Sequence, residues 1–329
     1  MAMISARSAS TRPPFARHWK GFAWRLLSAV VFSAASLSQP AGKPPNLDPV
    51  VLIQRAAENE TRALTAPPTF QYQERLEWGW GTETRAVIET SEGRADRIVL
   101  FDDEPLAGDQ KSKQQRRLQK LLTDRDAFKD ELEEQKAETQ RRIRTIKAFA
   151  SAFLFTFNER ENGLLKFYFR PNPGFSPKDR ETQMYRGMEG FLWLEPVQER
   201  IVRIEGKLVK DVAFGWGIFG RLYKGGIYEI AQSQVSPGIW RITTLNVHVK
   251  GRILFLNSFQ FFRSESNTHF RPTPVAMTYH QAVETLLKSA PLAENQGNSR
   301  PSLAPLAAST DQNRNNRATA VLQDQPGKE

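Results

Sequence analysis

The stretch from residue 184 to residue 262 constrains the fold more than any other part of the chain. Short runs rich in β-branched and aromatic residues alternate there with turn signals, which is typical of consecutive antiparallel strands. The turn signals are Glu195-Pro196, Lys224-Gly225-Gly226, Ser236-Pro237-Gly238 and Lys250-Gly251. The stretch therefore predicts a continuous antiparallel meander around which the other elements are arranged.

The residues on either side of this meander predict further strands and helices. Asp48 is placed to cap a helix that has Pro49 in its first turn and continues to Ala63. Strand patterns cover residues 69–80, 83–90, 96–101, 152–158 and 164–170, and Asn162-Gly163 is a hairpin signal. A short helix is predicted over residues 279–288.

Residues 109–149 have a different character. They contain no Gly or Pro and are rich in Lys, Arg, Gln and Glu, which favours a helical insertion broken at Thr123-Asp124. The simplest interpretation is a solvated helical excursion with one edge on the sheet. A coiled-coil partner surface is the alternative, although the heptad pattern is interrupted between Leu132 and Ile143.

The two ends of the chain predict export and a disordered tail. Residues 1–42 combine a basic, acid-free segment with an apolar run of about a dozen residues, shorter than the ~20 residues that span a bilayer. We expect a cleaved secretory signal, with an uncleaved anchor as the alternative, and a periplasmic or secreted protein. Residues 43–265 then form the main domain, residues 266–290 an extension, and residues 291–329 a disordered tail.

Composition excludes several classes of function. The 329 residues include no cysteine, so disulfides, thiolate nucleophiles and cysteine-bound metals are impossible. The net charge is +10, but five of the cations lie in residues 1–42 and the others are interspersed with acids. Because no basic stripe with interleaved aromatics is present, we expect no nucleic-acid binding.

Motifs for catalysis are weak. Residues 215–220 match G-x-G-x-x-G, but a strand pattern rather than a helix follows, so a glycine-bearing apolar bend is favoured over a nucleotide site. The histidines lack metal-ligand spacing, and no serine nucleophile motif occurs. The carboxylate pairs Asp102-Asp103 and Glu195 with Glu199 sit at turns, where acids are common. We therefore expect no enzyme activity, no metal and no cofactor.

Aromatic residues are the more informative signal. Several predicted strands carry apolar residues on both faces, which favours a curved sheet whose concave side binds an acyl chain. A transmembrane barrel is the competing interpretation, and the charges of Gln73-Glu74-Arg75 argue against it. The candidate cavity or rim residues are Trp78, Trp80, Phe155, Phe169, Trp193, Trp216, Phe219, Trp240, Phe255 and Phe259. The fold class predicted from these patterns is α+β, a curved antiparallel sheet forming an incomplete β-barrel with packed helices and a long helical insertion.

Two segments carry a resemblance to a known family. Residues 190–195 (GFLWLE) and 199–206 (ERIVRIEG), followed by the Lys-Gly-Gly turn at 224–226, resemble the LolA/LolB-like outer-membrane lipoprotein-sorting superfamily, in its uncharacterised bacterial periplasmic members. The resemblance covers about residues 47–265. It implies an incomplete antiparallel barrel closed by helices over a hydrophobic cavity, and a carrier of lipids or lipoproteins without chemistry.

The chain departs from that family in two respects. The insertion at 109–149 and the long tail are not features of the compact carriers, and no lid arginine or cavity residue can be transferred. The expected function is a non-enzymatic periplasmic protein that binds a lipid or an acylated lipoprotein in outer-membrane biogenesis. We expect the apolar bend to pack on the edge of the sheet, with contact to a hydrophobic partner or peripherally to a membrane as the alternative. The alternative is a structural or interaction protein that uses 109–149 as its surface for a protein partner.

Overall fold

A computed structural model describes residues 48–65, 69–214, 220–253 and 257–289. The expectations for the secretory signal, for the disordered tail and for the apolar bend at 215–219 lie outside these residues. The helices are α1 (Pro49–Thr65), α2 (Gly108–Thr123), α3 (Arg125–Ala152), α4 (Arg180–Gln183) and α5 (Tyr279–Lys288), with a 3₁₀ turn at Met184–Gly187. Within the described residues, no helix is long and apolar enough to cross a membrane.

The strands form an antiparallel sheet that does not close into a barrel. They are β1 (Phe70–Trp78), β2 (Gly81–Glu89), β3 (Arg94–Phe101), β4 (Glu104–Pro105), β5 (Phe153–Glu161), β6 (Leu164–Pro171), β7 (Met188–Glu195), β8 (Arg200–Leu208), β9 (Val212–Phe214), β10 (Gly220–Leu222), β11 (Ile227–Ser236), β12 (Ile239–Ile253) and β13 (Asn257–Pro272). Their order is β4-β3-β2-β1-β13-β12-β11-β8-β7-β6-β5. The predicted α+β class with a curved, incomplete barrel is confirmed.

The meander differs from its prediction in two places. Strand β8 pairs directly with β11. Strands β9 and β10 lie outside this strand order: they pair with each other, and β10 also pairs with β12. Strand β13 also continues beyond residue 262 to Pro272 and pairs with β1. That long-range pairing joins the first and last strands of the described sheet. Because β13 runs from Asn257 to Pro272, the expected domain boundary at residue 265 lies inside it.

Local capping chemistry follows the sequence closely. Asp48 accepts a hydrogen bond from the Val50 amide at 2.9 Å, and α1 begins there. Asp124 caps α3 by accepting from the Asp126 and Ala127 amides at 3.0 and 3.1 Å, which confirms the predicted break between the insertion helices. Asn162 and Gly163 have φ values of 51° and 83°, as a tight hairpin between β5 and β6 requires.

Helices α1 and α3 occupy the concave side of the sheet. The apolar residues of α1 and of the second half of α3 pack there against β5 to β8, β11 and β12. This core includes Leu52, Ile53, Ala56, Ile146, Phe149, Phe153, Phe169, Leu192, Leu194, Ile204, Ile230, Leu245 and Val247, all buried. At roughly 1.5–3 kcal/mol for each fully buried large apolar side chain, this is the principal source of stability.

The insertion is more than a solvated excursion. Helix α2 packs with α5 on the other face of β2 and β3, around Leu118, Leu121, Tyr279 and Val283. Helix α3 crosses to the concave side, so the two insertion helices cover opposite faces of the same sheet. The second half of α3 contributes Ile146 and Phe149 to the main core.

The insertion also covers the exposed edge of β3. Gln135 of α3 donates from Nε2 to the Arg94 carbonyl and accepts from the Arg94 amide at Oε1, both at 2.8 Å. Arg117 of α2 donates to the Asp96 carbonyl on the same edge. Because unpaired strand edges promote pairing with other chains, these side chains protect β3 where β4 is too short to do so.

We predict that Gln135→Ala lowers the free energy of unfolding by about 1–3 kcal/mol, because the backbone amide and the carbonyl of Arg94 both lose their hydrogen-bond partner. Urea unfolding followed by circular dichroism measures this change. Gln140→Ala is the matched control, since Gln140 is exposed on the same helix and should change stability by less than about 0.5 kcal/mol. Equal effects of the two substitutions would show that the edge contact contributes nothing.

Candidate functional site

A group of aromatic side chains gathers at the end of the sheet where β1 and β3 end and β13 begins. We call it the aromatic rim: Trp78, Trp80, Phe101, Phe259 and Phe261. Residues directly opposite in a ladder share a face. Val249 of the core pairs with Phe261, and Trp78 pairs with Arg263 two residues further along β13. Trp78, Phe259 and Phe261 therefore lie on the concave face.

The rim forms a continuous stack. The rings of Trp78 and Trp80 are nearly parallel, with centroids 6.0 Å apart, and Trp80 stacks on Phe101 at 6.5 Å. Phe261 meets Trp78 edge-on at 6.2 Å. Trp80 is 53% exposed, which is unusual for so large an apolar side chain. The stack thus exposes the ring of Trp80, while Trp78, Phe101 and Phe261 beside it are half-buried.

The turn between β1 and β2 holds the two tryptophans in place. Gly81 has a φ of 151°, and a Cβ there would lie 2.8 Å from Asp102 Oδ1. Asp102 accepts a hydrogen bond from the Thr82 amide at 2.8 Å, and Asp103 pairs with Arg75 at 2.8 Å. The carboxylates of Asp102 and Asp103 are therefore occupied in holding the rim rather than arranged as a catalytic pair.

The second carboxylate pair is occupied in the same way. Glu195 accepts hydrogen bonds from the Val197 and Gln198 amides in the β7–β8 turn. Glu199 pairs with Arg55 of α1 at 2.6 Å. Neither acid is arranged for general acid and base catalysis.

Charged side chains form the floor beside the rim, beneath α3. We call this group the charged floor: Glu74, Arg85, Arg94, Asp96, Arg263 and Glu265. Arg94 bonds Glu74 at 2.7 Å, Arg85 lies 3.8 Å from Asp96, and Arg263 pairs with Glu265. The guanidinium carbon of Arg263 also lies 5.2 Å from the centre of the Trp78 ring. Rim and floor are thus in direct contact.

Two carboxyl groups of the floor, those of Glu265 and Asp96, have lowered pKa values. Burial by itself raises the pKa of Glu265, but the guanidinium of Arg263 and a hydrogen bond from Asn267 outweigh it, and the pKa is lowered. The pKa of Asp96 is lowered in the same way, because three neighbouring arginines outweigh burial. The floor therefore balances buried negative charges against buried positive ones.

The structure divides the remaining candidate residues among different locations. Phe155 and Phe169 belong to the main core with Phe149, whose ring centre is 5.8 and 5.7 Å from theirs. Trp240 lies at the opposite end of the sheet, where Nε1 donates to Gln198 Oε1 at 2.9 Å. These residues stabilise the domain away from the rim. Trp216, Phe219 and Phe255 lie outside the described residues.

Trp193 lies on the convex face of the sheet. Its neighbours Leu192 and Leu194 point into the core, so Trp193 points away from it. Its ring is covered by Lys166 at 5.1 Å and by Arg203 at 4.9 Å, and its Nε1 donates to Glu161 at 3.0 Å. Of the candidates, Trp78 and Trp80 stack on each other, while Phe259 shares the face of Trp78 and packs against the main core.

Sequence reasoning missed Phe101, Phe261 and the charged floor. Phe261 follows Phe259 by two residues, so the alternation of a strand was a signal that could have paired them. Nothing local indicated that Phe101 reaches Trp80, because that contact depends on the pairing of β2 with β3. The floor was missed because charged residues in strands are ordinarily read as solvent-facing.

The G-x-G-x-x-G pattern and the grouping of metal-ligating side chains can both be compared with the described structure. Gly220 is the first residue of β10, which pairs with β9 and β12. A strand rather than a helix therefore follows the G-x-G-x-x-G pattern. A helix N-terminus at a pyrophosphate is what that motif requires. Within residues 48–65, 69–214, 220–253 and 257–289, no three His, Asp or Glu side chains are grouped as metal ligands.

Comparison of the chain with protein-family models, with curated proteins and with solved structures finds no match in any of the three. The resemblance of residues 190–195 and 199–206 to the lipoprotein-sorting superfamily therefore stays a prediction from the sequence.

We predict that Glu265→Gln destabilises the protein by about 3 kcal/mol at neutral pH, because it leaves a buried guanidinium without its carboxylate. The pKa of Glu265 is lowered from its ordinary value of 4.5. Its contribution is therefore present above that value and lost as the pH falls through the lowered one. The difference between variant and wild type should accordingly shrink as the pH falls below 4.5.

Urea unfolding at a series of pH values measures this dependence. Glu284→Gln on α5 is the control, since that carboxylate is half exposed and its loss should cost less than about 0.5 kcal/mol at any pH. A constant difference across the pH series would contradict the assigned ionisation of Glu265.

Proposed function

We propose that the protein binds the acyl chain of a lipid or acylated lipoprotein at the aromatic rim, without catalysing a reaction. The observation that carries the proposal is the exposed stack of Trp80 on Trp78 and Phe101 at the open end of a curved sheet. Contiguous exposed apolar surface of this kind marks binding sites in soluble domains. Flat aromatic rings also provide large contact areas with little loss of side-chain entropy.

The surroundings of the rim favour a ligand with an apolar chain and a polar end. The rim continues along β13 from Phe261 to Arg263, where the charged floor begins. An acyl chain would lie across the rings, and its polar end would meet charges that are already balanced. Arg263 is 4% exposed and paired with Glu265, so it defines a boundary to the apolar surface rather than an open anion site.

A catalytic function has less support from the same geometry. The carboxylate pairs considered in the sequence each bind backbone amides or arginines in turns. A carboxylate pair that acts as general acid and base has to face a shared substrate position. A binding protein is therefore the interpretation that uses the exposed rim.

The proposal includes export and a role as a carrier. The basic, apolar leader at residues 1–42 favours secretion, and the resemblance described above is to periplasmic carriers. A carrier needs its apolar site accessible at a rim, so that cargo can pass to an acceptor. Native mass spectrometry of protein purified from membranes tests this directly: a co-purifying acyl species supports the proposal.

We predict that brominated stearic acid quenches the tryptophan fluorescence of the folded protein, because bromine quenches rings that it contacts. Trp80→Ala should weaken binding of this probe about tenfold or more, since it removes a large part of the exposed apolar surface. Titration of the variant and the wild type measures the two affinities.

Two control variants separate the rim from general effects. Val197→Ala alters another exposed apolar residue, 63% exposed in the β7–β8 turn at the opposite end of the sheet. Trp193→Phe alters a tryptophan on the convex face. Both should bind the probe as the wild type does, and equal weakening by all three substitutions would refute binding at the rim.

A further inference from the structure

Basic side chains gather at one corner of the convex face of the sheet. The corner lies at the same end as the aromatic rim but on the opposite face. Val249 of β12 belongs to the core, so Lys250 beside it, and Arg252 two residues further, point to the convex face. Arg252 pairs with Arg221 of β10, and residues directly opposite in a ladder share a face. Strand β10 and the end of β12 therefore place three cations together.

The neighbouring strands and turns add more cations. Lys207 of β8 pairs with Ile227 of β11, which pairs in turn with His248 of β12. His248 lies between two core residues of β12, so this row also faces the convex side. Lys210 and Lys224 are exposed in the turns that follow β8 and β10. We call the group the basic corner: Lys207, Lys210, Arg221, Lys224, Lys250 and Arg252.

Backbone hydrogen bonds hold the corner in a fixed geometry. The Gly225 amide donates to the Leu208 carbonyl at 2.6 Å, and the Leu208 amide donates to the Gly226 carbonyl at 2.7 Å. The Tyr223 amide donates to the Lys250 carbonyl at 2.8 Å. Gly225 has a φ of 91°, which glycine adopts without strain. The turn after β10 is thus tied both to the end of β8 and to β12.

Two acids lie within the corner, and both already have polar partners. Asp211 accepts a hydrogen bond from a backbone amide of the turn after β10 at 2.9 Å, and its carboxylate lies 3.6 Å from Arg221. Glu189 accepts from the Tyr168 hydroxyl at 3.0 Å and lies 4.0 Å from Lys207. The six cations of the corner therefore outnumber its two acids.

The exposed lysines of the corner keep their charge uncompensated. Lys210, Lys224 and Lys250 form no ion pair with any acid of the described residues. The connections 215–219 and 254–256, between β9 and β10 and between β12 and β13, contain no charged residue. They therefore add no acid to the balance.

Acids are more frequent beyond the borders of the corner. The next row of the convex face carries Glu205, which pairs with Arg203, and Glu229, which accepts from Asn246 at 3.2 Å. Adding this row gives seven cations against four acids, so the balance stays positive. Further acids of this end lie on the far side of β13, on β1, on β4 and in the β3–β4 turn: Glu77, Asp102, Asp103 and Glu104.

Aliphatic side chains are exposed among these cations. Val209 is 38% exposed next to Lys210, and Ile227 is 42% exposed opposite Lys207. Nucleic acids are attracted by the cations alone, whereas the headgroup region of an anionic bilayer also accepts apolar side chains. The combination of cations with exposed aliphatic residues therefore favours an anionic lipid surface over a nucleic acid.

The basic corner and the aromatic rim occupy the two faces of one strand end. Phe259 of the rim pairs with Gly251 of β12, between Lys250 and Arg252 of the corner. A Cβ at Gly251 would lie 2.8 Å from the Phe259 ring, so the ring packs directly on the strand. A bilayer docked at the corner would lie beside the acyl-binding surface, which favours a lipid surface over an acidic protein.

We propose that the basic corner docks the protein on the anionic headgroups of a phospholipid bilayer, with Val209 and Ile227 in the headgroup layer. None of the corner residues belongs to the rim, so the two surfaces are carried by separate observations. The inference rests on the proposed function for its purpose, which is to hold the rim at the surface from which an acyl chain is taken.

A fluorescent label at the corner tests the contact directly. Because the chain contains no cysteine, Val209→Cys in the full-length protein provides a single attachment site for nitrobenzoxadiazole. We expect the emission of this label to increase and to shift to shorter wavelength on vesicles of equal parts phosphatidylglycerol and phosphatidylcholine, but not on phosphatidylcholine alone. Val197→Cys, exposed at the opposite end of the sheet, is the control label and should not respond.

Charge reversal in the labelled protein tests the cations. Lys210→Glu/Lys224→Glu/Lys250→Glu should lower the affinity for the mixed vesicles at least about tenfold, since each lysine near an anionic surface contributes to binding. All three lysines are exposed, so the variant should fold, which circular dichroism checks.

Lys111→Glu/Lys113→Glu/Lys136→Glu is the matched control, since it reverses three exposed lysines of α2 and α3. Its affinity should stay within about twofold of the labelled protein without charge reversal. Equal responses of the two labels, equal responses on the two kinds of vesicle, or equal weakening by both triple variants would overturn the proposal. So would a corner-dependent response to a DNA duplex or to polyglutamate in the absence of a response to vesicles.

Titration with brominated stearic acid in the absence of vesicles separates this inference from the proposed function. The triple variant at the corner should bind the acid as the wild type does, whereas Trp80→Ala should weaken the acid and leave the vesicle response of the label unchanged. Loss of the vesicle response with Trp80→Ala alone would place the membrane contact at the rim and overturn docking at the corner. Failure of the wild type to bind the acid, with the vesicle response intact, would refute the rim and support the corner.

Discussion

The packing of α3 against the concave face of an open sheet is the interaction on which the rest of the structure depends. A sheet that does not close leaves one face and two edges to be covered. Gln135, in the first half of α3, hydrogen-bonds the backbone of Arg94 at the edge of β3. Phe149, near the end of α3, packs on Phe153 at the start of β5. The helix therefore connects β3 with β5, which lie near opposite edges of the sheet and do not pair with each other.

The concave face that α3 crosses is chemically divided. The part formed by β5 to β8, β11 and β12 is apolar and packs with α1, whereas the part formed by β1, β2, β3 and β13 carries the charged floor. Burying ion pairs costs desolvation free energy that their attraction only partly offsets. The floor is therefore better understood as fixing the register of β1 against β2 and β13 than as a source of stability.

Local chemistry made many elements predictable, while pairing between distant strands did not follow from the sequence. The cap at Asp124 and the hairpin at Asn162-Gly163 depend on neighbouring residues, and both predictions are confirmed. Glu74 carries no local signal of burial, yet it is 4% exposed because its partner Arg94 comes from β3. Trp193 shows the same limit, since a strand with apolar residues on both faces does not reveal which face is concave. The rim itself was half predictable: its tryptophans share a turn, but Phe101 joins them through strand pairing.

The rim and helix α3 are connected through β3. That strand begins at Arg94, whose backbone is held by Gln135, and ends at Phe101, which stacks on Trp80. In this fold β3, eight residues long, joins the backbone contact made by α3 to the aromatic stack around Trp80. A change in how α3 sits on the edge of the sheet would therefore move the strand that carries Phe101.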